Sequence, residues 1–331
     1  MKKYILNVWT VCFLTLCLAA CNEEDFSSRE YYKYVVYLLS KEDYNVYSDV
    51  YPFDDGNEVK GYFSIGCGGS LANPEEITVE LEADTVLMSK YNRANFDIDT
   101  FKFALLLPES RYRIESMRVT IPAGNEDQYV KVPVTVMPDG LSPDSTYFIP
   151  LAIKSVSRYE INPEKYNMLF RVSFENRFSE LATATYYSMR GNTVNPPDYE
   201  VLAGSAISST KLARPLSKNS VRMFAGTGPV KADFGVDPDL VKPTVDELEK
   251  YGIILTVDEN DSVSITPYGT IQVEQINGDY WNTYEEARNN MVDDTFTQYF
   301  YLRYRYRTLK TPPDTYNNWI TVQETLKRLI N

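Results

Sequence analysis

The fold prediction starts from the segment Tyr129-Val130-Lys131-Val132-Pro133-Val134-Thr135-Val136. Valine occupies every second position, and tyrosine, lysine, proline and threonine occupy the positions between. Because side chains alternate between the two faces of a β-strand, this spacing places the four valines on one buried face. Pro133 has no N–H to donate to a neighbouring strand, so we expect this strand at a sheet edge or at a bulge.

The same alternation recurs in the segments that follow. Apolar residues take every second position at Tyr147, Ile149, Leu151 and Ile153, and again at Met168, Phe170, Val172 and Phe174. Turn signals separate these segments at 122–125, 138–140 and 162–163. Short strands at this spacing, without long helices between them, predict an antiparallel β-sandwich over residues 31–178.

The second half of the chain predicts a series of hairpins. Strand residues 253–257 and 263–265 flank an acidic turn, and the strand 296–307 reverses at 311–314 into 319–326. Along 296–307 one face is apolar and the other carries tyrosine and arginine, which is typical of a strand with one buried face and one solvent-exposed face. Sequential hairpins of this kind predict a meander that closes into a barrel of lipocalin type over residues 181–331.

Two capping-box spacings in the second half predict short helices. Thr244 precedes Glu247 by three positions, and Thr283 precedes Glu286 by the same spacing. In a capping box the Thr hydroxyl and the Glu carboxylate satisfy orphan N–H groups at a helix start. We therefore expect one helix over 242–251 and another over 283–291.

The first residues have the pattern of an export leader. Lys2 and Lys3 precede a mostly apolar segment that ends in Leu18-Ala19-Ala20-Cys21. This segment is shorter than the run of about 20 apolar residues that a membrane span needs. This tetrapeptide resembles the bacterial lipobox, which implies that residues 1–20 are a signal peptide and that Cys21 is lipidated. A plain cleavage site before a cysteine is the alternative. Residues 21–30 are expected to form a lipidated acidic tether.

Charge and residue usage exclude several kinds of chemistry. Removal of residues 1–20 would take away Lys2 and Lys3 and no acid, which leaves 31 basic and 46 acidic side chains and a net charge of −15. Such a balance argues against nucleic acid and against anionic lipid surfaces. The sequence has no histidine, which excludes Ser-His-Asp catalysis and histidine metal sites. Cys67 is the single cysteine that follows Cys21 in the sequence, so no disulfide is expected within the mature chain. No cofactor and no metal site are predicted.

Three local patterns admit two interpretations each. The glycine cluster 66–69 superficially resembles a phosphate loop but precedes Asn73-Pro74 rather than a helix, so we interpret it as a turn. Asp97 and Asp99 could form an acid/base pair on one strand face, or lie in a solvated loop, which we favour. The acidic turn 258–261 could hold calcium but lacks the spacing of an EF-hand, so we favour a solvated turn.

Aromatic side chains supply the binding candidates. A sugar ring is recognised by a flat aromatic face and by polar groups at its hydroxyls, and tryptophan is scarce in this chain. Trp281 lies in an Asn-, Asp- and Gly-rich loop with Tyr280 and Tyr284 beside it, and Trp319 lies near Tyr316. These five are the candidate glycan-binding residues. The alternative for each is a core or barrel-capping aromatic.

Several motifs in the first half resemble a known module, namely Leu107–Tyr112, Val119–Gly124, Val132–Val136, Tyr147–Ile153 and Tyr159–Pro163. They are similar to the N-terminal immunoglobulin-like domain of Bacteroidota surface lipoproteins that accompany glycan-import systems of the starch-utilisation type. The resemblance spans about 31–178, and a looser one links 300–328 to the C-terminal domain of the same proteins. It implies an immunoglobulin-like sandwich followed by a lipocalin-like barrel. In some relatives the module precedes an endoglycosidase domain, but it has no catalytic residues of its own.

These observations favour a cell-surface glycan-binding lipoprotein that is not an enzyme. The expected location is the outer membrane, with a lipid anchor and the domains facing the cell exterior. Expected partners are a glycan and a TonB-dependent transporter with its lipoprotein partner, and no nucleic acid. The alternatives are a structural or protein-binding subunit of an outer-membrane complex, and a glycosidase that uses carboxylates.

Overall fold

The computed structural model describes residues 32–41, 43–194, 204–228, 243–289, 295–310 and 315–330. Within these ranges the chain forms strands and two short α-helices, which confirms the prediction of an all-β chain with a sandwich before a barrel. The predicted signal peptide, the lipidated Cys21 and the tether lie outside the described residues. No helix in the described ranges is long and apolar enough to cross a membrane.

The N-terminal half has one α-helix, α1 (Val86–Phe96), and thirteen strands within the described residues. The strands are β1 (Val35–Leu38), β2 (Val46–Ser48), β3 (Tyr51–Pro52), β4 (Val59–Gly68), β5 (Ile77–Glu82), β6 (Leu105–Leu106), β7 (Tyr112–Ile114), β8 (Arg118–Ile121), β9 (Tyr129–Val136), β10 (Tyr147–Val156), β11 (Glu160–Ile161), β12 (Asn167–Arg171) and β13 (Phe174–Glu175). One sheet has the order β11-β1-β4-β9-β7 and the other β2-β12-β10-β5-β8, with β6 added beside β10. Strands β3 and β13 form a small third sheet.

Strand β9 carries the alternating valines that predicted the sandwich. Val132, Val134 and Val136 are buried in the core between the sheets, whereas Val130 packs against that core at its margin. Pro133 faces Tyr62 of β4, while the pairing of β9 with β7 ends one residue away at Val134. The prediction of an edge strand or a bulge is wrong, because β9 lies between β4 and β7 and pairs with β4 without a break. The proline is tolerated because the pairing with β7 does not reach it, so its missing N–H interrupts no strand pairing on that side.

The C-terminal half contains helix α2 (Val245–Tyr251) and nine strands within the described residues. The strands are β14 (Thr185–Val194), β15 (Ser205–Ser217), β16 (Ser220–Phe224), β17 (Gly252–Val257), β18 (Val263–Pro267), β19 (Gln272–Gln275), β20 (Thr283–Arg288), β21 (Phe296–Arg307) and β22 (Ile320–Ile330). The capping box of Thr244 and Glu247 is present at the start of α2, as predicted.

The second predicted helix is wrong, because residues Thr283–Arg288 form β20. Every residue of this segment pairs with β21 in antiparallel register, from Thr283 opposite Tyr301 to Arg288 opposite Phe296. The spacing of a threonine and a glutamate is compatible with a helix start, but Tyr284 fills the barrel core from the strand. Pairing with the long strand β21 therefore decides the local structure.

The nine strands form one sheet that curls into a nearly closed barrel. Their order is β18-β17-β16-β15-β14-β22-β21-β19, with β20 beside β21. Two backbone hydrogen bonds link the ends of β18 and β20 and so close this part of the barrel. The N–H of Val263 donates to the carbonyl of Asn282 at 2.8 Å, and the N–H of Tyr284 donates to the carbonyl of Asp261 at 2.8 Å. Little free sheet edge therefore remains at this point.

The segment between the two halves is anchored by Asn176. Its side-chain amide donates to the carbonyls of Ser217 and Ser220 at 2.7 and 2.9 Å, and its carbonyl accepts from the N–H groups of Phe178 and Ser179. The sandwich core ends at Phe174 and the barrel core begins at Phe178. The exact domain limits at 178 and 181 stay a prediction.

Candidate functional site

The outer face of β21 carries the aromatic and basic residues that alternate along this strand. Phe300, Leu302 and Tyr304 point inward and are fully buried, so Tyr299, Tyr301, Arg303, Arg305 and Arg307 point outward. This is the division into a buried face and a solvent-exposed face that was predicted for the strand. The outward tyrosines lie at one end of the strand and the outward arginines follow them.

A loop between β19 and β20 places two further aromatic rings beside these tyrosines. Asn282 fixes the end of the loop: its side-chain amide donates to the carbonyl of Ile276 at 2.9 Å, and its side-chain carbonyl accepts from the N–H of Arg303 at 2.9 Å. Gly278, Asp279 and Asn282 all have positive φ, which glycine, aspartate and asparagine tolerate best. The loop therefore has a defined shape that presents Tyr280 and Trp281.

Four aromatic rings form a continuous row, which we call the aromatic row. Trp281 and Tyr280 stack with centroids 4.8 Å apart, and Tyr280 meets the edge of Tyr301 at 5.5 Å. Tyr301 and Tyr299 lie in nearly parallel planes, 9° apart, with centroids separated by 5.8 Å. Tyr280 is 58% exposed, and the other three are half-buried. The row thus presents aromatic surface along one side of the barrel.

Polar groups border the aromatic row on both sides. On one side the hydroxyl of Tyr301 donates to Glu285 at 3.1 Å, and burial together with this bond raises the pKa of Tyr301 to about 12. On the other side the ammonium of Lys327 lies 5.8 Å from the ring centre of Tyr299. Beyond Lys327 an open depression is lined by Ser188, Arg190, Tyr299, Thr325, Lys327 and Leu329. The site therefore combines apolar ring surface with donors and acceptors.

Trp319 and Tyr316 lie against the outer face of β21 at its arginine end, away from the aromatic row. The guanidinium groups of Arg305 and Arg307 lie 4.7 and 4.6 Å from the centre of the Trp319 ring, and that of Arg307 lies 4.9 Å from the centre of Tyr316. Arg305 also binds Glu274. Arginine already occupies ring surface of Trp319 and Tyr316, so these two residues form a packed cluster apart from the aromatic row.

Tyr284 lies inside the barrel and does not contribute to the surface. It is 3% exposed and packs against Phe178 and Phe300, with ring centroids 5.0 Å away in both cases. The guanidinium of Arg177 covers its ring at 4.5 Å. Its hydroxyl donates to Glu286 at 2.9 Å. Of the five candidates from the sequence, Trp281 and Tyr280 therefore belong to the aromatic row, and Tyr284 belongs to the core because β20 is a strand.

The acidic pairs singled out in the sequence are parts of turns. Asp97 and Asp99 follow the end of α1, and Asp99 forms an ion pair with Lys102 at 3.3 Å. In the turn 258–261, the carboxylate of Asp258 accepts from the N–H groups of Asn260 and Ser262, and Asp261 pairs with Arg177. In the described ranges, no group of three or more Cys, Asp or Glu side chains is arranged to hold a metal ion.

Comparison with known proteins gives matches to both halves. One family model, described as an N-terminal domain, matches residues 31–160, and a second, described as C-terminal, matches residues 166–327. A Bacteroides ovatus protein of unknown function has a similar structure, with a TM-score of 0.63 and 17% identity over 89% of this chain and 94% of that one. A multidomain protein with a domain of unknown function, also from Bacteroides ovatus, has a TM-score of 0.61 and 15% identity, and the similarity covers 89% of this chain and 94% of that one.

A third similar structure is an auxiliary nutrient binding protein from Bacteroides thetaiotaomicron. Its TM-score is 0.55 at 15% identity, over 86% of this chain and 90% of that one. The two family models together cover most of the chain, and the similar structures share its fold. At these identities the similar structures show nothing more specific than that fold. No curated protein matches the sequence.

Four residues of the candidate site were not predicted from the sequence, namely Arg190, Tyr299, Tyr301 and Lys327. The alternation along β21 already placed Tyr299 and Tyr301 on the solvent-exposed face, so their outward position could have been predicted from the sequence. Arg190 and Lys327 reach the site through pairing across β14, β22 and β21, which no local pattern reveals.

Proposed function

We propose that this protein binds a glycan on the aromatic row and does not act on it chemically. The observation that carries the proposal is the row itself: four contiguous rings on an outer barrel face, with hydrogen-bonding groups on both sides. Aromatic faces pack against the C–H surfaces of sugar rings, while the flanking polar side chains can bind hydroxyl groups. An open row suits a chain of sugar units better than a small molecule, which is usually enclosed by its pocket.

Further support comes from a similar structure and from the start of the chain. A relative of the same fold is described as an auxiliary nutrient binding protein. Residues 1–21 have the pattern of a signal peptide followed by a lipidated cysteine. We propose that the protein is anchored through Cys21 to the outer membrane with its domains facing outward, where it would pass the glycan to a TonB-dependent transporter and its lipoprotein partner.

The experiment is retardation of the purified protein in gels that contain one polysaccharide each, across a panel of neutral and acidic polymers. We expect retardation by at least one polymer and its loss in Trp281→Ala and in Tyr299→Ala. Tyr166→Ala is the matched control, because Tyr166 is an exposed tyrosine of the sandwich, 41% accessible. Retardation that survives both site variants would contradict the proposal.

The same samples separate the alternative functions. Release of reducing ends from any polymer in the panel would indicate a glycosidase and contradict a purely binding role. If no polymer retards the protein, the structural or protein-binding subunit of an outer-membrane complex becomes the better hypothesis. Loss of retardation in Tyr166→Ala would place the site on the sandwich rather than on the barrel.

A further inference from the structure

Four neighbouring strands are almost free of acidic residues, and one of them carries Tyr299 and Tyr301 of the aromatic row. Strands β15, β14, β22 and β21 lie side by side in the barrel, and their sequences contain one carboxylate, that of Glu324. Glu324 points into the barrel, where it pairs with Lys211 at 2.5 Å and is fully buried. The outer face of these four strands therefore carries no carboxylate, although the whole chain has 46 acidic against 33 basic side chains.

Two cations on this face stand next to the tyrosines of the row. Lys327 of β22 is directly opposite Tyr299 on one side and Ser188 on the other. In the next register position, Thr325 lies between Tyr301 and Arg190. Arg190 and Lys327 are thus diagonal neighbours on β14 and β22, and both line the depression beside the row.

Among the described residues, these two cations have no carboxylate partner, unlike some other cations on the surface. Lys60 pairs with Asp54 at 2.7 Å, and Arg158 pairs with Glu75 at 2.7 Å. Within the part of the chain that the structure describes, Arg190 and Lys327 form no ion pair and no side-chain hydrogen bond. An acidic protein that keeps two unpaired cations together beside an aromatic surface has a local field opposite to its overall charge.

We propose that the bound glycan is anionic and carries uronate carboxylates or sulfate esters, which Arg190 and Lys327 bind while its rings stack on the aromatic row. This inference rests on the proposed function and adds the chemical class of the ligand. Both cations lie on the β14 and β22 side of the row, whereas Glu285 lies on the β20 side. Repulsion from Glu285 and attraction to Lys327 direct the anionic groups toward the depression, so the field also sets the orientation of the glycan across the barrel.

The test compares acidic polysaccharides with the same polymers after their charge has been removed. The probes are polygalacturonate and alginate with their carboxyl-reduced forms, and carrageenan and chondroitin sulfate with their desulfated forms. Polyglutamate serves as a polyanion without sugar rings. Affinities are measured for the natural chain, for Arg190→Gln, for Lys327→Gln, and for Lys90→Gln as a control on the exposed face of α1.

We expect at least one acidic polymer to bind about fivefold or more tightly than its neutralised form, with the difference lost in Lys327→Gln and reduced by added salt. Lys90→Gln should retain it. The uronate and sulfate pairs show which anion is bound. Equal affinity for charged and neutralised forms, or binding of neutral polymers alone, would overturn the anionic class and leave the proposed function standing. Equal binding of polyglutamate would show a general charge effect and overturn the inference, and absence of binding by every polysaccharide would overturn both proposals.

Discussion

Asp144 of the sandwich forms an ion pair with Arg222 of the barrel, and both side chains are buried, with 1% and 0% of their surface exposed. The Nε of Arg214 lies 3.8 Å from the same carboxylate oxygen. One carboxylate therefore stands between two arginines at the junction of the two halves. A buried charge is tolerated only when it is paired, so this contact couples the folding of the sandwich to that of the barrel.

Replacement of Asp144 by alanine should destabilise the protein by about 3–5 kcal/mol, because two buried guanidinium groups would lose their shared carboxylate. Urea unfolding monitored by circular dichroism measures the change. Asp139→Ala, at an exposed position of the preceding turn, should change the stability by less than about 0.5 kcal/mol. Equal unfolding midpoints for both variants would show that the ion pair does not hold the two halves together.

The pair of Lys211 and Glu324 inside the barrel makes a second prediction about buried charge. Burial lowers the pKa of Lys211, while the neighbouring carboxylate of Glu324 opposes that shift. The hydroxyl of Tyr304 also donates to Glu324, at 2.9 Å. Lys211→Met should cost about 3–5 kcal/mol because it leaves the carboxylate unpaired, and the double variant with Glu324→Leu should recover most of the loss. A double variant less stable than Lys211→Met would contradict this account.

Buried tyrosines predict a loss of stability at alkaline pH. Burial raises the pKa of Tyr306 to about 12, above the unfolded value of about 10. Below pH 10 both states hold the proton, whereas between pH 10 and 12 only the unfolded state releases it. Stability should therefore fall with rising pH by up to about 1.4 kcal/mol per pH unit for this tyrosine. Tyr306→Phe should have a shallower slope of stability against pH in urea unfolding from pH 9 to 12, and an unchanged slope would contradict this account.

Asn282 predicts a link between the stability of the loop and glycan binding. Asn282→Ala removes the side-chain partners of Ile276 and Arg303, two backbone groups, and places alanine at a φ of 61°. We expect a loss of about 2–3 kcal/mol and weaker retardation by the glycan that binds the natural chain. The exposed Asn318 offers the control, as Asn318→Ala should alter neither quantity. Full retardation by Asn282→Ala would show that Tyr280 and Trp281 do not need this support.

Local patterns predicted the elements whose structure depends on local spacing. The alternating valines of β9 and the capping box of Thr244 are confirmed because strand alternation and helix capping act within a few residues. The same reasoning was wrong at Thr283, where pairing with β21 outweighs a capping-box spacing. The burial of Tyr284 follows from that change, because a strand places every second residue inside the barrel.

The candidate site was only half visible in the sequence for a related reason. Trp281 and Tyr280 are adjacent in the chain, so a loop composition sufficed to select them. Their neighbours Tyr301, Tyr299 and Lys327 come from other strands, and their proximity depends on the register between β20, β21 and β22. Register is set by the whole buried face of the barrel, which cannot be derived from a single segment.

Of the two tryptophans in the second half, only Trp281 should change its fluorescence when a ligand binds. Trp281 belongs to the exposed aromatic row, whereas the ring of Trp319 is covered by Arg305 and Arg307. Addition of a bound glycan should change the intrinsic fluorescence of the natural chain and of Trp319→Phe, but not that of Trp281→Phe. Trp319→Ala should instead reduce stability by about 1–3 kcal/mol, because it removes the packing beneath two guanidinium groups, and should leave the affinity for the glycan unchanged. A ligand response that follows Trp319 would move the site to the arginine end of β21.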